Sequence, residues 1–420
     1  QKMCVRTFKS NLVSVQSDCP ARERFGYGGD INAVADAYIS NFNMHQFYRK
    51  AVYDWVDVLN DSVFMDTAPY IGLKYCGISW ESAFLFLQDK LYQNYDDGEI
   101  VREMYQLDLK WMEKVARLHP GLIIDKGLGD HESMVKVPVQ VTGTCHYLLA
   151  ARVMKNFAAL MHDTSNEKKF AELEMRIGQK LLDTFWRHPA NTLEPMNKQT
   201  LYAALLYSGA IPENEKSAAV DSLKASVAKA ANGHFTTGIF GTQFILEAMS
   251  QAGLTQQVFD IVNSTAFPGW GHMIDRRATT IWETWKESDN TFSNCHPMFG
   301  SVSGWFYRWL GGIQPVSAGF EKVRIAPFVP GNGLNYVKAA YKTPYGYIRS
   351  EWEKSTSGEI KYKITVPEGT TAEFKALAPV KEKAEIMNGP KKISLNAHDF
   401  NNGQLCKVLN AGTYMVTIKK

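Results

Sequence analysis

At 420 residues the chain is long enough for two or more domains, one of which can bury a substantial core. Its apolar fraction of 45% and charged fraction of 21% are those of an ordinary globular protein and exclude a disordered one. The net charge of +3, without a polybasic run or a long apolar stretch, argues against binding to nucleic acid and against insertion into a membrane.

The first thirty residues end in a dense cluster of charged side chains. Residues 1–15 predict a helix followed by a strand-like segment, and residues 18–30 read DCPARERFGYGGD. This motif holds three carboxylates and two arginines, and its proline and three glycines predict a loop. Loops held on a rigid scaffold are where catalytic groups concentrate. A solvated turn with surface ion pairs is the simpler interpretation of this motif taken alone.

Residues 31–312 predict a mostly helical domain. Apolar residues recur at helical spacing, and loops rich in Gly, Asp and Pro separate the helices, among them the loop DKGLGDHE at residues 125–132. The predicted helices span residues 31–42, 44–59, 80–95, 99–118, 137–160, 167–186, 199–207, 213–231, 242–252 and 304–310. A series of paired helices without a β-rich interruption predicts a toroid of helical hairpins.

A second candidate segment reads FPGWGH at residues 267–272 and ATTIWETW at residues 278–285, with Glu283 between two tryptophans. Indole faces can cover the apolar C–H patches of a sugar while carboxylates bind its hydroxyls. The alternative is an aromatic core segment with an incidental glutamate. Two carboxylate clusters, one in each motif, match glycoside hydrolysis, in which one acid protonates the leaving oxygen and the other activates water or attacks the anomeric carbon.

Beyond Pro315 the composition changes to short alternating or β-branched segments separated by turn residues. The predicted strands span residues 323–326, 347–352, 359–366, 372–375 and 413–418. Strands of this length and spacing predict an antiparallel β-sandwich. We therefore place a catalytic domain at residues 1–312 and a β-sandwich at residues 313–420. The sandwich lacks a clear aromatic stripe, which favours a supporting role over sugar binding of its own.

The motifs resemble those of glycoside hydrolase family 78, the α-L-rhamnosidases. Residues 18–30 are similar to the signature DCPxRERxGWxGD, and residues 267–285 to the block W-G-x-M-I…A-T-T-x-W-E-x-W. The segment SNCHPMFGSV at residues 293–302 resembles the run N-H-x-x-F-G-S-V. The match runs in order over nearly the whole chain. It implies a mainly α protein with a β domain, namely an (α/α)6 barrel, with its cleft formed by loops at one end, followed by an antiparallel β-sandwich.

The resemblance also implies an inverting mechanism, with Glu23 as the general acid and Glu283 as the general base that activates water. Asp18 and Asp30 match carboxylates that hold rhamnose hydroxyls, and Arg22 could orient either of them. The remaining substrate-binding candidates are Tyr27, Trp80, Asp130, His131, Trp270, Trp282 and His296.

These remaining candidates rest on weaker arguments. Trp270 and Trp282 are either stacking walls or core residues. His296 matches a family histidine near the sugar, although a lone buried histidine is more often structural. Asp130 and His131 belong to the loop at 125–132, where the family commonly has tryptophan in place of His131.

Hydrolysis of this kind needs no metal and no organic cofactor, so we expect none. The six cysteines lack the spacing of metal ligands and are expected to be free thiols. The expected partner is a carbohydrate ending in a rhamnosyl residue, and the oligomeric state stays open. Family members usually carry β-domains ahead of the catalytic domain, so the resemblance implies a fragment of a longer periplasmic, cell-surface or extracellular protein.

Two departures from the family pattern leave the substrate open. Tyr27 stands where the signature has tryptophan, and Ser82 stands where many members have the aspartate of G-W-x-D-A. The substrate could therefore be a related deoxy-sugar or a decorated rhamnoside. The alternatives are an inverting glycoside phosphorylase, in which phosphate replaces the base, and a non-catalytic sugar-binding protein on the same scaffold. The presence of both Glu23 and Glu283 argues against each.

Overall fold

Two compact units make up the computed structural model, which describes residues 1–59, 64–187, 196–289, 291–378 and 380–419. Unit 1 comprises Gln1–Tyr38, Met44–Asp89 and Gly98–Val302; unit 2 comprises Ile39–Asn43, Lys90–Asp97 and Ser303–Lys420. Helices dominate unit 1 and strands dominate unit 2, so the predicted fold class is confirmed. Residues 39–43, 90–97 and 303–312, which a boundary at residue 312 places in the helical domain, belong to unit 2.

The helices of unit 1 pack on one another, and in one of the most extensive contacts a buried helix meets an amphipathic one. The helices are α1 (Lys2–Ser10), α2 (Gly28–Asn41), α3 (His45–Asp57), α4 (Ile78–Glu81), α5 (Ala83–Tyr95), α6 (Gly98–Leu118), α7 (Val139–Leu160), α8 (Thr164–Leu181), α9 (Lys198–Tyr207), α10 (Lys216–Lys229), α11 (Ile239–Gln251), α12 (Thr255–Asn263), α13 (Trp270–Asp275) and α14 (Ser301–Trp305). Helix α7 is buried around most of its circumference, whereas α8 packs on it with a single stripe of Phe170, Ile177 and Leu181.

The predicted helices correspond to observed ones with boundaries a few residues apart, and residues 12–16 form the short hairpin of β1 (Leu12–Val13) and β2 (Val15–Gln16). Helices α12 and α13 were not predicted. Within the described part of the chain, no helix combines the length and the hydropathy needed to cross a bilayer.

Two sheets form unit 2. The strands are β3 (Ile313–Pro315), β4 (Lys322–Ile325), β5 (Tyr336–Thr343), β6 (Gly346–Lys354), β7 (Ile360–Val366), β8 (Thr371–Leu377), β9 (Ala384–Asn388), β10 (Lys391–Lys392), β11 (Phe400–Asn401), β12 (Gln404–Leu409) and β13 (Gly412–Ile418). One sheet has the order β10-β9-β13-β7-β6-β5 and the other the order β11-β12-β8-β4-β3.

The two sheets pack face to face, as a sandwich requires. Buried and exposed residues alternate along β6, where Ile348, Ser350 and Trp352 are buried. Tyr362 of β7 meets Phe374 of β8 edge to face, with ring centroids 5.5 Å apart. The strands pair antiparallel as predicted, except that β4 and β8 run parallel.

Candidate active site

The loop of the first motif folds back on itself and brings two acids together. The backbone N–H of Asp18 donates to the carbonyl of Phe25 at 3.1 Å, and the N–H of Phe25 donates to Asp18 Oδ1 at 2.8 Å. These two hydrogen bonds hold Asp18 in a buried position, with its carboxyl within hydrogen-bond distance of Glu23. Glu23 itself remains accessible to solvent, as a group that meets an incoming ligand must be.

The surroundings of Glu23 favour its protonated form. Desolvation, the charge of Asp18 and the hydrogen bond to it, and the charge of Glu283 all raise the pKa of Glu23. The Tyr27 hydroxyl donates to Glu23 Oε1 at 3.4 Å and opposes this effect only in part. A carboxyl among like charges holds its proton towards neutral pH. Glu23 is therefore suited to donate a proton.

Tyr27 connects Glu23 to Tyr75, a residue that the sequence analysis missed. The phenols of Tyr27 and Tyr75 are hydrogen-bonded, and 56% of Tyr75 is exposed. The buried Asp66 fixes this segment, because its Oδ2 accepts the backbone N–H of Tyr75 at 2.6 Å and that of Cys76 at 2.7 Å. In the sequence, Tyr75 is one aromatic residue in a loop without a motif, so no signal marked it.

Glu283 of the second motif lies in a different environment. Its backbone N–H donates to the Ser293 carbonyl at 2.9 Å, and the Ser293 N–H donates to Glu283 Oε2 at 2.6 Å. Arg22 donates to the Thr291 carbonyl and acts on Glu283 by its charge. Burial, together with the charge of Asp18, raises the pKa of Glu283 above its usual value, and the Ser293 N–H and the Arg22 guanidinium offset this rise in part. The two motifs, far apart in the sequence, thus meet in one site.

A buried pair, Asp30 and His296, lies behind the two glutamates. Asp30 Oδ1 and His296 Nδ1 are 3.5 Å apart, and the Met298 N–H donates to the same ring nitrogen at 3.3 Å. Burial lowers the pKa of His296 to about 3, and burial together with the neighbouring acids raises that of Asp30 well above its usual value. Among the described residues Asp30 Oδ1 has no hydrogen-bond partner, although buried polar atoms normally have one.

The structure favours a structural role for Asp130 over the predicted contact with the substrate. Its Oδ1 accepts the backbone N–H groups of Phe240 and Gly241, both at 2.9 Å. Its Oδ2 accepts the N–H of Gly238 at 2.8 Å and the hydroxyl of Thr200 at 2.6 Å. Both oxygens are therefore engaged at the N-terminus of α11, where free N–H groups need an acceptor. Asp130 holds the loop in place.

His131, the next residue, lies close to the site. Its side chain is 35% exposed, and burial lowers its pKa, so it is neutral at physiological pH. It is near enough to His296 for its charge to lower the pKa of that residue.

The three predicted tryptophans are packing residues in this geometry. Trp80, Trp270 and Trp282 are each only 3–4% exposed. A Cβ at Gly29 would lie 2.3 Å from the Trp80 ring, which explains a glycine at this position of the first motif. Trp270 donates its Nε1–H to the Phe299 carbonyl at 2.9 Å. So little free ring surface favours core packing over the predicted stacking on a sugar.

The assembled groups form a pair of carboxyls whose pKa values are both raised by burial but whose hydrogen-bond partners differ. Glu23 faces the carboxyl of Asp18, whereas Glu283 accepts an N–H and lies near Arg22. Two carboxyls treated so differently can hold and release protons in complementary steps. Within the residues described by the structure, no group of three or more His, Cys, Asp or Glu side chains is arranged to hold a metal ion.

The chain matches two family models. The bacterial alpha-L-rhamnosidase 6 hairpin glycosidase domain matches residues 1–310, and the bacterial alpha-L-rhamnosidase C-terminal domain matches residues 312–391. A curated alpha-L-rhamnosidase of Streptomyces avermitilis is 28% identical over 378 residues, which are 87% of this chain and 36% of the relative.

Two solved structures are similar over the whole chain. The alpha-L-rhamnosidase from Dictyoglumus thermophilum has a TM-score of 0.92 and 27% identity, and the match covers 100% of this chain and 49% of that one. The Streptomyces avermitilis alpha-L-rhamnosidase complexed with L-rhamnose has a TM-score of 0.89 and 25% identity, covering 100% and 41%. The chain thus spans less than half the length of each relative. With its paired helices, its β-sandwich and both motifs in one site, the chain belongs to the family of bacterial alpha-L-rhamnosidase six-hairpin glycosidases.

Proposed function

We propose that this chain carries the catalytic centre of an α-L-rhamnosidase that hydrolyses terminal α-L-rhamnosides with inversion. The meeting of Glu23 and Glu283 in one site carries the proposal, with Glu23 hydrogen-bonded to the carboxyl of Asp18 and Glu283 accepting the Ser293 N–H near Arg22. It is further supported by the activity named for the curated relatives and by the L-rhamnose bound to one solved neighbour.

Glu23 acts as the general acid. It donates its proton to the glycosidic oxygen while the bond from that oxygen to the anomeric carbon breaks. Asp18 supports this step because its negative charge disfavours ionisation of Glu23 before the sugar binds. The aglycone leaves as an alcohol, and Glu23 is left as a carboxylate.

Glu283 acts as the general base. It accepts a proton from a water molecule whose oxygen attacks the anomeric carbon from the face opposite the leaving group. The Ser293 N–H and Arg22 support the ionised form that this step requires. Glu283 ends protonated and Glu23 ionised, so one proton returns from Glu283 to Glu23 through solvent before the next turnover.

The sugar is held by polar groups around this pair. Asp30 is the first candidate: its buried Oδ1, beside the neutral His296, has no hydrogen-bond partner among the described residues, and a sugar hydroxyl that reaches it on binding would supply one. Tyr27 and Tyr75 lie on the side of Glu23, where the aglycone departs. Because Tyr27 replaces the tryptophan of the signature, a related deoxy-sugar remains the main alternative substrate.

The proposal is tested by following two aryl α-L-rhamnosides, one with a good and one with a poor leaving group, with and without inorganic phosphate. We expect turnover by the wild type that does not depend on phosphate. In Glu23→Gln, activity should fall about 10²–10⁴-fold on the poor leaving group and far less on the good one, which needs little protonation. Glu172→Gln, an exposed change on α8, is the control.

Other outcomes point to the alternatives. Turnover that requires phosphate and yields rhamnose 1-phosphate would identify a phosphorylase. Binding of L-rhamnose without turnover would identify a sugar-binding protein. Equal losses on both leaving groups in Glu23→Gln would remove Glu23 from the role of general acid.

A further inference from the structure

The loop that carries Asp130 also carries Glu132, whose role the family motifs do not explain. The backbone on both sides of Glu132 is fixed. The His131 carbonyl accepts the N–H of Ile239 at 2.9 Å, and the Met134 N–H donates to the Thr236 carbonyl at 3.0 Å. Together with the four hydrogen bonds of Asp130, these contacts clamp the loop against the start of α11.

Glu132 holds a backbone conformation that is uncommon for its residue type. Its φ is 56°, in the left-handed region that residues other than glycine seldom adopt. Such conformations cluster at binding and catalytic sites, where the surrounding structure imposes them.

Glu132 and Glu283 lie in segments that contact the same stretch of chain, because the Met134 N–H donates to the Thr236 carbonyl and the Trp285 Nε1–H donates to the Thr237 carbonyl at 2.8 Å. The side chain of Glu132 is 23% exposed, and the charge of Glu283, after burial, is what raises the pKa of Glu132. Among the described residues, the basic group recorded within 4 Å of it is His131, with Nδ1 at 3.8 Å from Glu132 Oε1, and burial lowers the pKa of that imidazole and keeps it neutral.

A largely buried carboxylate without a cation is costly unless it accepts hydrogen bonds. In a site that binds a sugar, the hydroxyl groups of the sugar can donate these hydrogen bonds to the carboxylate. We propose that Glu132 binds the terminal sugar directly, its carboxylate accepting a hydrogen bond from one ring hydroxyl. The inference rests on the proposed function, and it adds a specificity-determining residue.

The test compares variants of Glu132 on a substrate and on analogues that each lack one hydroxyl group. The purified protein, Glu132→Ala and Glu132→Gln are compared on an aryl α-L-rhamnoside and on its 2-, 3- and 4-deoxy analogues. On the full substrate, Glu132→Ala should lose about 10–100-fold in kcat/KM, the usual effect of one hydrogen bond to a charged group, and Glu132→Gln should lose less. On the analogue without the partner hydroxyl, kcat/KM of both variants should match that of the wild type within about twofold, because the hydrogen bond to residue 132 is absent in every case. Glu172→Gln is the matched control on an exposed helix face.

Equal losses on all four substrates would overturn the proposal. The proposal also fails if Glu132→Gln only moves the acid limb of the pH profile to lower pH, because Glu132 would then act through the field at Glu283. Calorimetric titration with L-rhamnose and its deoxy analogues repeats the comparison without turnover. If the wild type binds L-rhamnose but hydrolyses no rhamnoside, the proposed function fails while the binding comparison still decides the role of Glu132. If it binds none of these sugars, both fail.

Discussion

At the scale of single residues, Asp18 sets the proton affinity of Glu23. The Asp18 carboxyl is buried and hydrogen-bonded to Glu23. After burial of Glu23 itself, the charge of Asp18 and this hydrogen bond raise the pKa of Glu23. In Asp18→Asn that negative charge is gone, so the pKa of Glu23 falls and Glu23 loses its proton at a lower pH. We therefore expect the alkaline limb of the pH profile of kcat/KM to move to lower pH by about one unit, with little movement of the acid limb.

The profile is measured on a rhamnoside with a poor leaving group, for which protonation limits the rate. Glu172→Gln again serves as the exposed control. An unchanged alkaline limb in Asp18→Asn would show that Asp18 does not tune the acid, and movement to higher pH would show that Asp18 favours the ionised form of Glu23.

The sequence predicted the proposed catalytic pair, but it could not predict all the residues that surround the pair in the structure. Glu23 and Glu283 were found because each sits in a dense motif that can be compared with a family. Tyr75 and Glu132 were missed because their importance arises from neighbours distant in the chain. Asp130 was predicted as a substrate ligand because a sequence does not show that its oxygens are occupied by α11.

At the scale of elements, the start of α11 depends on one carboxylate. Asp130 accepts three backbone N–H groups and one hydroxyl there. Asp130→Ala leaves these buried donors without an acceptor and should lower the free energy of unfolding by about 3–5 kcal/mol. Denaturant unfolding of the variant and wild type measures the loss. A variant as stable as the wild type that binds the sugar more weakly would restore the substrate role predicted from the sequence.

Glu81 at the end of α4 makes stability depend on pH. Burial raises its pKa from 4.5 to about 7, partly offset by Lys74 and by the Trp111 indole N–H, which lies 3.4 Å from Glu81 Oε2. The folded state therefore holds this proton more tightly than the unfolded state, and the stability it contributes is lost as the pH rises from about 4.5 to about 7.

Glu81→Gln mimics the protonated form at every pH. It should match the wild type near pH 4.5 and exceed its free energy of unfolding by about 1–3 kcal/mol above pH 7. Thermal or denaturant unfolding at the two pH values measures the difference. A gain of the same size at both would mean that Glu81 does not titrate between them.

At the scale of the whole molecule, the sequence predicted the order of α and β regions because long amphipathic helices and alternating strands leave clear periodic patterns. It missed α12, α13 and six strands, namely β3, β5, β9, β10, β11 and β12. The two-residue strands β10 and β11 hold too few residues for a period to be recognised. The parallel pairing of β4 with β8 joins segments about fifty residues apart, and periodicity says nothing about such partners.

The relatives of this chain are longer proteins in which these two units are only a part. The proposed rhamnosidase activity is therefore that of the full-length protein. The central claim is that Glu23 and Glu283 act on opposite faces of the sugar and that no bond forms between the sugar and the protein. Such a mechanism inverts the anomeric configuration, whereas a glutamate nucleophile would retain it.

Proton NMR of the sugar released from an aryl α-L-rhamnoside tests this claim most directly. At high protein concentration the first product is recorded before mutarotation mixes the anomers. We predict that the anomeric signal of β-L-rhamnose rises first and that the α signal follows only by mutarotation. If α-L-rhamnose forms first, Glu283 is not the base of an inverting mechanism and the central claim is contradicted.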